Sequence, residues 1–249
     1  MSSETRMRVD QLLSRHGYCS RGQSRGWLKN GRVSLNGEVL RDPSEKVLIK
    51  EVLIDGQPVE CPEGILIVLN KPAGYICTHN PDEGPSIYDL VPERWSQRNP
   101  PVTSVGRLDK DTTGVLLITD QGDWVQRWTS PKHKVPKRYE IEVNQEIAPS
   151  LVPFFASGKL HLPDEDHPCL PAKLEIITPT TARIELVEGR YHQVKRMFAS
   201  QGYEVLRLHR SQFGPYTLDA LPEGQWRFEP IPAPPRPGAS APVKSDPSN

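Results

Sequence analysis

Four cysteines, Cys19, Cys61, Cys77 and Cys169, are all that this 249-residue chain contains, and no two of them form a C-x-x-C pair. That scarcity excludes the common zinc-ribbon spacings and argues against a disulfide scaffold. Long apolar runs are missing as well: nothing approaches the roughly 20 residues that a membrane-spanning helix needs. The opening MSSETRMRVD also lacks the apolar stretch of a secretory leader. A cytoplasmic protein that does not engage membranes is the resulting expectation. Net charge is absent too, with 31 Lys+Arg against 31 Asp+Glu. What the chain does have is 36% hydrophobic and 25% charged residues, enough for an ordinary globular core.

The zero total conceals an uneven distribution. Residues 1–41 hold eight cations (Arg6, Arg8, Arg15, Arg21, Arg25, Lys29, Arg32, Arg41) against three acids, and residues 121–138 hold five (Arg127, Lys132, Lys134, Lys137, Arg138) against Asp123 alone. Two separated basic blocks suit a polyanion gripped at two places, although solvated surface faces produce the same pattern.

Local signals divide the chain into three parts. Val9, Leu12, Leu13 and His16 recur at helical spacing, with Gly17 as the stop. Ser20 is placed to cap a second helix running to Leu28, ended by Asn30-Gly31. Val33-Ser34-Leu35 and Glu38-Val39-Leu40 flank Asn36-Gly37, the dipeptide favoured in tight hairpin turns. Val47 to Ile54 reads as one further strand, and Cys61 to Gly64 as a linker. Beyond it, Ile65–Leu69 and Val115–Thr119 read as fully buried strands, whereas Arg138–Val143 and Ala182–Val187 alternate with period two. Helices fit Trp124–Thr129 and Gln193–Gln201. The expected class is α+β: a small unit over residues 7–62, with two helices and short strands, and a second domain over 65–230 on a mostly antiparallel mixed sheet. Residues 231–249, rich in proline, are expected to be a disordered tail.

Three motif matches fail on inspection. Gly17 to Ser24 has P-loop glycine spacing, but Gln23 stands where the phosphate-binding lysine is required, and no buried strand precedes it. Asp109-Lys110-Asp111-Thr112-Thr113-Gly114 resembles a calcium loop, yet a strand occupies its second half and no helix pair flanks it. The same string resembles a phosphatase aspartyl motif, but Arg107 stands where an apolar strand should lie, and no acidic cluster follows to hold magnesium. His161, His167 and Cys169 lack a fourth metal ligand nearby. No metal or cofactor is expected.

What remains is a set of strings that combine cations, carboxylates and aromatics. Singly, Asp109 reads as a turn cap, Tyr139 as a half-buried strand residue, and Lys195 and Arg196 as helix surface. In order, they resemble a known family. Arg8-Val9-Asp10, Ser20-Arg21, Arg25 and Gly31-Arg32-Val33 resemble the S4-like RNA-binding domain. Leu69-Asn70-Lys71-Pro72-Ala73-Gly74-Tyr75, Gly106 to Gly114, Thr129-Ser130-Pro131-Lys132-His133, Lys137-Arg138-Tyr139 and Glu188 to Phe198 resemble the RsuA-like pseudouridine synthases.

The resemblance implies isomerisation of uridine to pseudouridine in ribosomal RNA without redox cofactor, nucleotide or metal. Asp109 would be the essential carboxylate, Tyr139 would lie against the uracil face, and Lys195 would pair with Asp109. Burying a carboxylate favours its neutral form, and a neighbouring cation keeps it charged. Arg107 would fill the stack vacated by a flipped nucleotide. Arg8, Arg21, Arg25, Arg32, Lys132, His133 and Arg196 would hold RNA. Pro171 to Thr180 and Tyr191 to Phe198 resemble the small-subunit branch of the family, which implies 16S rRNA, at uridine 516, as the partner; basic surfaces on both domains and the lack of a heptad seam lead to the expectation of a monomer. A 23S rRNA site, or an inactive RNA-binding assembly factor, are the alternatives.

Overall fold

The computed structural model describes residues 6–232. Its N-terminal unit comprises β1 (Arg6–Arg8), α1 (Val9–Arg15), a 3₁₀ turn at Arg21–Gln23, α2 (Ser24–Lys29), β2 (Val33–Leu35), β3 (Glu38–Val39), β4 (Lys46–Leu48), β5 (Val52–Ile54) and β6 (Gln57–Pro58). Helix α1 ends where Gly17 takes φ +74°. Ser20 and Gln23 cap the second helical segment reciprocally, the Gln23 Oε1 accepting from the Ser20 backbone N at 3.0 Å and the Gln23 N donating to the Ser20 carbonyl. Asn36 and Gly37, at φ 50° and 89°, make the expected two-residue turn between β2 and β3.

The expected strand over 47–54 is corrected by the structure. Val47, Ile49, Val52 and Ile54 are all buried, but the three-residue step from 49 to 52 breaks the period of two. A 3₁₀ turn at Ile49–Glu51 absorbs that step. β4 therefore pairs with β1, while β5 joins β2, β3 and β6 in a separate sheet.

The second domain contains β7 (Leu66–Lys71), α3 (Glu93–Ser96), β8 (Thr103–Ser104), β9 (Thr113–Thr119), α4 (Gly122–Thr129), β10 (Lys137–Val143), α5 (Leu151–Ala156), β11 (Lys173–Thr178), β12 (Thr181–Leu186), α6 (Gln193–Ala199), β13 (Val205–Phe213), β14 (Tyr216–Thr217) and β15 (Trp226–Phe228). Seven strands form one path in the order β11-β12-β10-β13-β9-β7-β15, with β8 and β14 attached at β9 and β13. Only the β13–β9 pairing is parallel. Both faces of the centre are covered: Ile67, Leu69, Leu116 and Ile118 enter one core, Leu66, Val68, Val115 and Leu117 the other. Continuous apolar runs are what such two-sided burial requires. In β10, Tyr139, Ile141 and Val143 face the first core, and Glu140 and Glu142 on the other face approach Arg183 and Arg207.

The sequence gives weak signals for two elements. In β13, Arg210 occupies a buried position, so the strand lacks an apolar alternation. In α5, Pro153 lies inside the helix, near its start, where the missing N–H is tolerated. Ile231, within the expected tail, is partly buried and packs against the second core. The remainder of the expected tail, 233–249, lies outside the described residues.

The two units are joined by Arg98, which is 3% exposed. Its guanidinium binds Asp120 Oδ2 (Nε at 3.0 Å, Nη2 at 2.9 Å) and donates to the Glu60 and Cys61 carbonyls. Nη2 also donates to His16 Nδ1 at 3.1 Å, on the N-terminal unit. Because arginine has no acceptor, Nδ1 must be the lone-pair nitrogen, and Nε2 carries the hydrogen of a neutral ring. Gly17 allows the close approach: a Cβ there would lie 2.4 Å from the Arg94 carbonyl oxygen.

Burial, reinforced by Arg98, holds His16 down at about 3. An unfolded His16 takes up its proton near pH 6.5, whereas the folded ring resists until about pH 3. This contribution to stability is therefore complete above about pH 6.5 and declines as pH falls through the interval, by about 1.4 kcal/mol per pH unit. Urea denaturation between pH 7 and 4 is expected to show a shallower pH dependence for His16→Gln than for the parent, by close to one proton. Equal slopes would refute this role for His16.

Candidate active site

The turn before β9 carries Asp109, and its backbone is fixed from several sides. The Asp109 carbonyl accepts from Thr112 N at 3.1 Å, and the Lys110 carbonyl accepts from Gly74 N at 2.8 Å. Lys71, at the end of β7, is fully buried and donates from Nζ to the carbonyls of Pro72 (2.9 Å), Thr112 (2.9 Å) and Lys110 (3.3 Å). Desolvation pushes its pKa down, and the three carbonyl dipoles are what compensate the buried ammonium. At the start of β9, Gly114 adopts φ +108°, and any Cβ would sit 2.2 Å from the Arg210 carbonyl oxygen. Only glycine allows β13 to run this close to the turn.

Asp109 opens into a cleft of about 590 Å³, whose walls include Arg107, Lys137, Tyr139, Tyr191 and Arg210. Its Oδ1 lies 3.1 Å from His192 Nε2, and its Oδ2 lies 3.7 Å from Lys195 Nζ. Lys195 is held more closely by Asp111, at 2.6 and 2.7 Å to the two carboxylate oxygens, and this contact lowers the Asp111 pKa. The expected Asp109–Lys195 pair is thus the longer of two contacts made by that ammonium. His192 was absent from the expected site. It reaches Asp109 because it takes a left-handed conformation (φ 48°) at the start of α6, and Tyr191, 76% exposed, stacks on it at 3.8 Å. Its place inside the titratable string Glu188–Phe198 was the available signal; the backbone turn that aims it is not readable from residue type.

Tyr139 is buried on β10, facing the first core and the cleft. Arg107 is exposed at the rim and makes no hydrogen bond or ion pair among the described residues. Lys132 and His133 stand exposed on a 3₁₀ turn at Pro131–His133, next to the cleft residues Thr129, Ser130 and Pro131. Arg196 differs from expectation. Its Nη1 binds Glu165 at 2.7 Å and its Nη2 the Pro163 carbonyl, while Arg190 clamps the carbonyls of His167 and Pro168 at 2.7 Å each. Both arginines hold the 163–168 loop against α6, and Arg196 is occupied there.

On the N-terminal unit, most of the expected RNA-binding arginines are paired. Arg8 and Arg21 share Asp10 at 3.0 and 3.1 Å, and this sharing holds the Asp10 carboxyl down at about 2. Arg32 binds Asp55 at 2.9 and 2.6 Å and lies over the Trp27 ring at 3.4 Å. These side chains are still 40%, 58% and 38% exposed. Arg25 is exposed without a partner among the described residues.

Replacing Lys71 by methionine would leave its three carbonyls without the donor. With about 1–3 kcal/mol at stake for each unsatisfied buried group, partly recovered by relaxation, a loss of about 3 kcal/mol in urea denaturation is expected. Unchanged stability would show that the turn is held without it.

Comparison with known proteins agrees with this arrangement. The RNA pseudouridylate synthase family matches residues 65–200, and the S4 domain matches residues 7–53. The chain is 40% identical over 226 residues to the ribosomal small subunit pseudouridine synthase A of Escherichia coli (strain K12), covering 89% of this chain and 95% of that protein. It is 41% identical over 229 residues to the protein of the same description from Vibrio parahaemolyticus, with the same coverage. A crystal structure of a pseudouridylate synthase superposes with a TM-score of 0.63 at 34% identity, covering 90% of this chain and 96% of that one. An S4 unit followed by a sheet that carries an aspartate, a tyrosine and cations into one cleft thus belongs to the RNA pseudouridylate synthase family, and this chain is a member of it.

Proposed function

We propose that this enzyme converts uridine 516 of 16S ribosomal RNA to pseudouridine, with Asp109 as the acting carboxylate. The observation that carries the reading is the Asp109 carboxylate at 3.1 Å from His192 Nε2 in a cleft walled by Tyr139. The relatives named as small-subunit synthases, aligned over 89% of the chain, support the choice of ribosomal subunit.

The chemistry requires the uridine C1′–N1 bond to break, the base to turn, and C5 to bond to C1′. The proton leaves C5, and N1 ends protonated, so atoms balance with no external reagent. Asp109 can serve as nucleophile at the sugar or as base and electrostatic partner to positive sugar character. His192 and Lys195 stand 3.1 and 3.7 Å from its two oxygens. A uridine in folded RNA reaches this cleft only when flipped from its stack, which costs a few kcal/mol. Arg107, unpaired at the rim, is positioned to take its place. Lys132 and His133 offer contacts to the flanking backbone, and Arg25 with the exposed parts of Arg8, Arg21 and Arg32 offers a second grip.

Deletion of the gene followed by pseudouridine mapping across both large ribosomal RNAs is expected to remove the mark at position 516 of 16S rRNA alone. Loss of a 23S mark instead would reassign the substrate. With purified enzyme, Asp109→Asn is expected to lower the single-turnover rate on the order of 10⁴-fold, in keeping with loss of a principal reacting group. A close charge contact to the acting carboxylate worth about 1.5–3 kcal/mol corresponds to about ten- to a hundred-fold in rate, the slowing of the same step expected for His192→Ala. A normal rate in the Asp109 variant would displace the site.

A further inference from the structure

The cleft holds two cations that the reading above leaves unused. Lys137 and Arg210 both line it, together with Asp109 and Tyr139. They come to the same face through an irregularity in the sheet. Arg138 pairs with Gln212 and Tyr139 with Arg210, so Ser211 is the extra residue on β13. That extra residue lets Arg210 and Phe213, three positions apart, both face the cleft. The Lys137 Nζ lies 5.4 Å, and the Arg210 guanidinium carbon 5.0 Å, from the Phe213 ring centre.

Neither cation has a carboxylate partner among the described residues. Lys137 Nζ donates only to the Val135 carbonyl, at 3.1 Å. Arg210, 2% exposed, donates from Nε to the Val115 carbonyl at 2.8 Å, and its buried Nη2 has no hydrogen-bond partner. Glu188, the nearest acid acting on Lys137, is already engaged by Gln193, Arg190 and the Leu170 N–H. Two desolvated like charges are costly to hold together, and burial with the Arg210 charge pushes Lys137 down to about 8. A fold that keeps such a pair beside its reactive carboxylate has a use for it when an anion arrives.

The reaction supplies one. Whether Asp109 acts as nucleophile or base, the C1′–N1 electron pair departs with the base, and its negative charge spreads onto the two uracil carbonyl oxygens. We propose that Lys137, with Arg210 beneath it, binds a carbonyl oxygen of the departing uracil and stabilises that anion. This inference rests on the assignment of Asp109. An RNA phosphate is the competing occupant, but aromatic walls of Phe213 and Tyr139 suit a flat ring better than a solvated tetrahedral group.

The test uses the full chain and an RNA bearing uridine, 2-thiouridine or 4-thiouridine at the target, sulfur being the weaker acceptor. Lys137→Met is expected to lower the single-turnover rate about 100-fold, the order seen when one donor to a developing oxyanion is removed, with RNA affinity unchanged. One of the thio substitutions should slow the parent enzyme more than it slows Lys137→Met. The parent rate should fall as pH rises through about 8, where Lys137 loses its charge, and Lys137→Arg should retain activity without that alkaline decline. A parent-like rate in Lys137→Met, a defect confined to RNA affinity and its salt dependence, or identical thio effects in both proteins would each overturn the inference. In those cases an active parent and an inactive Asp109→Asn would leave the site assignment standing; an active Asp109→Asn would remove both.

Discussion

The buried ammonium of Lys71 is the contact on which the geometry of this enzyme depends. It ties the end of β7 to the carbonyls on either side of Asp111, and so fixes the turn that presents Asp109. A carboxylate on a free loop would sample many orientations, each losing part of the advantage of a preset nucleophile or base. Here the turn is trapped between Lys71, the Gly74 N–H and a strand, β13, that passes too close for any side chain at position 114. The only parallel pairing in the large sheet, β13 with β9, creates that close passage. Sheet topology and reactive-group placement are therefore one constraint.

Charge is arranged around this fixed point in a graded way. Asp111 holds Lys195 tightly, leaving Lys195 at 3.7 Å from Asp109, while His192 makes the shorter contact. A lysine bound directly to Asp109 would neutralise it in a strong pair. A lysine restrained by a neighbouring aspartate leaves the Asp109 oxygens less directly occupied. Elsewhere in the same cleft, Lys137 and Arg210 have no carboxylate within ion-pair distance among the described residues. The cleft thus carries a carboxylate and a pair of cations among its lining residues, and in the proposed reaction these would face the sugar and the base respectively.

Legibility in the sequence followed the physical origin of each feature. The hairpin at Asn36-Gly37, the doubly buried strands β7 and β9 and the period-two strands β10 and β12 were readable because local chemistry and burial agree there. The α+β class and the mostly antiparallel mixed sheet followed from them. β13 was not readable, because its central buried residue is an arginine that lines the cleft. The break between β4 and β5 was visible only as a slip in spacing. Asp109 and Tyr139, which line one cleft, were singled out through long strings whose resemblance spans the chain. The place of His192 beside Asp109 was not readable because it depends on a left-handed residue, and the pairing of Arg196 was not readable because Glu165 lies 31 positions away. Pairings across such separations are set by tertiary structure, and charge counts cannot distinguish a tethered arginine from a free one.

The same distinction governs how the two units can act on RNA. Arg8, Arg21 and Arg32 are held by Asp10 and Asp55, which lowers their net contribution to long-range attraction but fixes where their exposed edges point. Preset cations lose little side-chain entropy on meeting phosphates, so the pairing exchanges general affinity for geometric selectivity. That exchange is useful only if the unit carrying them is itself fixed relative to the cleft. Arg98 supplies that condition by binding His16 on one side and Asp120 on the other with almost no exposure to solvent. An interface built on a buried charge is unforgiving of small displacements, since each shift leaves a desolvated group unpaired. The joint that makes the chain sensitive to acid thereby also sets the distance between the N-terminal unit and the cleft.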